Sequence, residues 1–176
     1  MPWRVKPMTK LEQFRKDKDD FFAHYPESPL TREQKITFTG LRYFPENRAL
    51  ALEVAVEEFP EKKTITMQTS TGDVQDYQRF GRFHFTMDGQ DAQLTLYADE
   101  HAFFLPFADS LAGTETYPAG RYLEPQLLEN GKFRVDFNYA YNPYCAYNER
   151  WSCPIPPAEN RLKVPIRAGE MLFEEH

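Results

Sequence analysis

A chain of 176 residues, 41% hydrophobic and 27% charged, with a formal net charge of −6, has the size and balance of one ordinary globular domain. Folding at that length buries about 70% of the unfolded surface, so the core needs no disulfide or metal staple. No run approaches the roughly 18 apolar residues of a membrane helix, residues 1–6 lack the apolar stretch of a signal peptide, and an acidic chain without a Lys/Arg cluster argues against nucleic acid and membrane surfaces as partners.

The simplest organisation is a single cytoplasmic domain over residues 1–176, with a helix at about 9–24 and a β region at about 36–176. Residues 9–24 space Leu11, Phe14, Phe21 and Phe22 along one helical stripe, with charge opposite. Thr9 and Glu12 have capping-box spacing, and Tyr25-Pro26 ends the helix. The run Lys16-Asp17-Lys18-Asp19-Asp20 reads as a solvated face. From about Leu41 the period changes to two. Leu50, Leu52, Val54 and Val56 share one face of a strand over 49–57, and Ile65 and Met67 point inward from 64–69, before a turn at Thr71-Gly72-Asp73. Residues 82–87 and 93–98 flank Asp88-Gly89-Gln90-Asp91, whose Asp-Gly pair is a hairpin signal, and further strands are expected at 101–105, 121–128, 133–138 and 162–166. Short strands without interleaved helices predict a mainly β fold, an antiparallel β-sandwich or barrel, with an N-terminal amphipathic helix on the outside or plugging one end. Fifteen Phe and ten Tyr supply much of its core.

Asn130-Gly131, read as a two-residue hairpin loop, sets a register in which Pro125 faces Asp136, Leu123 faces Asn138 and Arg121 faces Ala140. Arg121, Asp136 and Asn138 then project from one face, although a bulge near Pro125 would shift this pairing. Residues 139–161 follow, with four prolines, four tyrosines, a tryptophan, three asparagines and both cysteines. Loops this long are usually functional or disordered, and the aromatics argue for a packed, irregular Pro/Tyr/Asn-rich loop lying over the sheet.

Several runs in this region carry a family resemblance: Thr116-Tyr117-Pro118-Ala119-Gly120-Arg121-Tyr122-Leu123, Asp136-Phe137-Asn138, Asn142-Pro143, Cys145-Ala146-Tyr147, Cys153-Pro154, Glu159-Asn160-Arg161-Leu162 and Ala168-Gly169-Glu170. Together the chain resembles the bacterial and archaeal domain of unknown function 1684. The resemblance implies that Arg121, Asp136, Asn138, Asn142, Cys145, Cys153, Asn160 and Glu170 are motif positions, and it supplies no reaction.

The chemistry stays open at the cysteines. Cys145 and Cys153, with seven residues between them, have neither C-x-x-C nor zinc-knuckle spacing; they fit buried structural thiols, a disulfide worth about 2.6 kcal/mol, or a catalytic thiolate at Cys145. The four histidines show no metal-ligand spacing, and there is no G-x-S-x-G elbow, P-loop or G-x-G-x-x-G, so no metal is assigned and no cofactor is identified. Polar groups converging beside tyrosines point to a small-molecule-binding domain. Arg121 would clamp a small anionic ligand, Asp136 would orient Arg121 or exchange protons, and Asn138, Asn142 and Asn160 would fix polar ligand atoms. In the alternative, a non-catalytic structural or interaction module, the same residues pin the long loop.

Overall fold

The computed structural model of the protein describes residues 6–174. Residues 1–5, which carry most of the signal-peptide expectation, and residues 175–176, with His176 among them, lie outside the described part. Helix α1, Lys10–His24, starts where the Thr9 hydroxyl accepts from the Glu12 backbone N–H at 3.1 Å, and it buries Leu11 and Phe22 while Phe14 stays 39% exposed. A second helix, α2, Arg32–Thr37, escaped the sequence reading because six residues are too short to show a stripe; its signal is the Thr31/Gln34 capping box.

The strands are β1 Ala51–Val54, β2 Glu57–Glu58, β3 Thr64–Gln68, β4 Val74–Met87, β5 Gln90–Ala98, β6 Phe103–Phe107, β7 Arg121–Leu123, β8 Gln126–Leu127 and β9 Phe133–Asp136. They form two antiparallel sheets, one ordered β1-β9-β8 and one ordered β2-β4-β5-β6-β7, with β3 also on β4. No closed barrel forms, which removes that half of the expectation. One core draws Leu50, Val54, Phe133 and Val135 from the first sheet region and Phe83, Leu94, Leu105 and Phe107 from the second. The inward face assigned to residues 49–57 holds at Leu50 and Val54, with Leu50 in a 3-10 turn just before β1. The hairpin expected at Asp88-Gly89 forms with a shorter loop: Asp88 and Gly89, at φ 51° and 75°, make a two-residue turn, and Gln90 and Asp91 belong to β5, where Met87 pairs Gln90.

Three expectations are corrected. The 121–128 strand is two strands in different sheets: β7 pairs β6, β8 pairs β9, and Glu124-Pro125 carries the chain across. The Asn130-Gly131 hairpin is one residue longer than read. Leu128 N–H donates to Lys132 O at 2.8 Å, so Glu129, Asn130 and Gly131 form the loop and Gln126 faces Arg134. Gly131, at φ 84°, supplies the left-handed residue that closes such a three-residue loop. Residues 162–166 form no strand; Val164 and Ile166 pack into the core from an irregular segment.

Beyond β9 the chain is irregular, with 3-10 turns at Phe137–Tyr139, Tyr144–Ala146 and Ala158–Asn160. It is nevertheless tied at many points: Tyr141 bridges Tyr122 through two backbone hydrogen bonds of 2.9 and 3.1 Å, and Met171 N–H donates to Arg42 O at 2.8 Å. Among the described residues no helix is long and apolar enough to cross a membrane.

Candidate functional site

Arg121 sits in β7 opposite Phe107, 1% exposed, not across from Ala140. Its guanidinium donates to Ile166 O at 2.9 Å, to Glu170 O at 3.0 Å and to Ala168 O, and it lies 3.8 Å from the Asp109 carboxylate. Full burial pulls its pKa down to about 10, against the opposing pull of Asp109 and Glu170, so it stays cationic at neutral pH. Asp109 in turn accepts from the Thr116 hydroxyl at 2.8 Å and from Ile166 N–H at 2.7 Å. The arginine therefore fastens residues 166–170 and does not meet Asp136. The expected pairing fails because the one-residue longer loop and the sheet crossing move Arg121 away from β9.

The three asparagines are spread apart as well. Asn160, 0% exposed, accepts from Thr95 N–H and donates to Thr95 O and Pro106 O, all at 2.8 Å. The β5–β6 register at Tyr97/Phe104, carried onward, sets Thr95 against Pro106, which has no N–H to give; the Asn160 amide replaces the missing ladder bonds. Asn138 clasps Asn47 through both backbone groups, at 2.8 and 2.9 Å, and its own backbone and side-chain N–H groups donate to Asp136 at 3.0 and 2.9 Å. Asn142 donates from its side chain to Met171 O at 3.0 Å and from its backbone to Glu170 at 3.2 Å.

Glu170 is the residue around which this network closes. Only 1% exposed, its carboxylate faces Lys18 Nζ and accepts from the Tyr147 hydroxyl and Asn142 N–H. Burial pushes the Tyr147 hydroxyl well up, and Glu170 pushes it further, which keeps it a donor. Lys18, with its side chain 17% exposed, departs from the solvated face that its charge run predicts; Asp19 beside it accepts from Leu41 N–H at 3.0 Å and Tyr43 OH at 3.4 Å. The signal is positional: Lys18 follows Leu11 by seven and precedes Phe22 by four, so it lies on the buried stripe.

An accessible site lies elsewhere, where α1, the Glu124-Pro125 crossing and the end of β9 meet. A cleft of about 530 Å³ there is lined by Phe14, Glu124, Arg134, Asp136, Tyr139 and Tyr141, among others. Phe14 and Tyr139 meet edge to face at 4.9 Å, Lys18 Nζ lies 5.0 Å from the Tyr141 ring centre, and Tyr141 OH donates to Glu124. Burial raises the Tyr141 hydroxyl, and the hydrogen bond to Glu124 raises it further; Tyr139 is raised by burial and by Asp136. Of the expected site residues only Asp136 lines this cleft. Glu124, Tyr139 and Tyr141 were legible as polar and aromatic residues flanking the Arg121 and Asp136 motifs, but nothing local shows that the chain changes sheets between them.

Cys145 and Cys153 are both free thiols, and they are adjacent: Cys145 N–H donates to Cys153 Sγ at 3.3 Å. Tyr117 OH donates to Cys145 Sγ at 3.6 Å, and Cys153 N–H donates to Ser70 Oγ at 3.2 Å. Hydrogen bonding from Cys153, helped by Tyr117 and Ser70 and opposed by burial, holds the Cys145 thiol down to about 6; the same contact and burial push Cys153 up.

Residues 36–171 match the family described as Protein of unknown function (DUF1684), and the chain belongs to that family. Its fold is similar to the solution NMR structure of the uncharacterized protein from gene locus rrnAC0354 of Haloarcula marismortui, at 33% identity over 95% of each chain and a TM-score of 0.71. No curated protein matches the chain.

Proposed function

We propose that the protein is a small-molecule-binding domain whose site is the cleft between α1 and the end of β9, and that it takes an organic amine with an apolar body. The pair of sheets serves as an open sandwich that holds this cleft, and buried polar side chains behind it, Asn138 on Asp136 and Glu170 on Lys18, hold its walls in place. The observation that carries the reading is the lining: two carboxylates, Glu124 and Asp136, line a cleft of about 530 Å³ together with Phe14, Tyr139 and Tyr141. That volume falls in the range of ligand pockets, and carboxylates beside aromatic rings suit an ammonium group. A small anionic ligand finds its guanidinium here in Arg134 alone, since Arg121 has its donors on carbonyls.

A two-dimensional amide NMR titration with phenethylammonium, and with benzoate as the anionic counterpart, tests this. The expected result is saturable shifts at Phe14, Asp136 and Tyr139 with the amine, weakened at least about fivefold by Glu124→Gln, in line with the roughly 1 kcal/mol of an exposed charge pair. Saturation by benzoate instead, abolished by Arg134→Ala, would restore the anionic reading; no shift with either probe would remove the cleft as a site.

A further inference from the structure

Residues 145–153 leave and return to the body of the protein at two sulfurs. Cys153 is anchored on the turn between β3 and β4: Ser70 N–H donates to Cys153 O at 2.9 Å, and Ile155 N–H donates to Gln68 O at 2.8 Å. Cys153 itself is 8% exposed. Cys145 is half-buried in a 3-10 turn and opens onto a shallow cleft of about 580 Å³ with Thr31, Glu33, Asn148 and Glu149 on its walls. The intervening residues are held separately, by Gln34 Nε2 donating to Tyr147 O at 2.7 Å and by Asn148 donating to Pro29 O. The two thiols are thus already in contact, one reachable from outside and one behind it, with a phenol donating to the outer sulfur. That asymmetry is what a thiol–disulfide exchange centre requires: an attacking thiolate that a small disulfide can approach, and a resolving thiol that it cannot.

We propose that Cys145 and Cys153 form a thiol–disulfide exchange site, distinct from the amine-binding cleft, whose substrate is a low-molecular-weight disulfide of the oxidised-glutathione class. Cys145 thiolate attacks one sulfur of the small disulfide; the S–S bond breaks, and the released thiolate takes a proton from solvent. Cys153 then gives up its proton and attacks Cys145 Sγ, forming the intramolecular bond and expelling the second small thiol. The two protein thiols are oxidised by two electrons in all, and the small disulfide is reduced to two thiols. The Tyr117 hydroxyl stabilises the outer thiolate by its hydrogen bond and leaves the exchange unchanged in stoichiometry. Burial keeps Cys153 from competing as the first nucleophile, so the order of events is fixed by position.

The whole protein, fully reduced and then exposed to oxidised glutathione at neutral pH, tests this by intact-mass and peptide mass spectrometry after acid quenching. The expected product of the wild-type chain is a loss of two hydrogens with Cys145 and Cys153 cross-linked. Cys153→Ser is expected to accumulate one glutathione on Cys145, and Cys145→Ser to take up glutathione at least about tenfold more slowly. Wild-type chains that keep both thiols free, or that carry glutathione on Cys153 first, would overturn the proposal; the wild-type arm decides this even if neither variant folds.

Discussion

With both donors and its acceptor committed to Thr95 and Pro106, Asn160 stands in for a stretch of sheet that a proline cannot complete. Its removal leaves three buried backbone groups unpaired, so Asn160→Ala should lower stability by about 2–4 kcal/mol in urea unfolding without moving any amide at the cleft. Cys145 offers a different residue-scale prediction. Below a pH of about 6 it is a thiol and above it a thiolate, so its alkylation by iodoacetamide should rise with a midpoint near 6 rather than near 9, where an ordinary thiol titrates. Because the folded-state value lies below the unfolded one, the stability this thiolate contributes is complete above about 9 and is lost as pH falls through 6. The facing groups are Cys153, Tyr117 and Ser70. Such residues were legible as polar groups among aromatics that need partners. Their partners were not, because Thr95, Pro106 and Ser70 come from strands and turns far away in sequence.

Among the elements, α1 is held by two kinds of contact. Phe22 packs among Leu30, Tyr147 and Tyr144, with its ring 5.0 Å from that of Tyr147, and Lys18 faces the buried Glu170 carboxylate. Lys18→Met removes the cation and strands the carboxylate; with Lys18 partly exposed the loss should be about 2–3 kcal/mol, and adding Glu170→Gln should recover part of it in a double-mutant cycle. Gly131→Ala should cost about 1 kcal/mol by forcing a side chain into the left-handed turn conformation at φ 84°, measurable by thermal unfolding. The helix, its cap and the Asp88-Gly89 hairpin follow from local periodicity and turn chemistry. The 121–128 segment does not, because alternation continues through Glu124-Pro125 while the strand changes partner, and one extra loop residue reverses which side chains share a face.

At the scale of the molecule, the nine strands found among the described residues share one core from two sheets, and the irregular residues 137–171 are bound to it chiefly by buried polar side chains rather than by ladders. Composition and period were enough for a mainly β chain; the division of labour between a closed polar frame and an open cleft is a tertiary property. Arg121 belongs to the frame and not to the cleft. Equilibrium urea unfolding of Arg121→Ala tests this, since the substitution leaves the buried Asp109 carboxylate without its cation and three carbonyls of the C-terminal segment without their donor. The expected result is a loss of about 3–5 kcal/mol, or a chain unfolded without urea; a wild-type unfolding midpoint would contradict the account and return Arg121 to the list of ligand-binding residues.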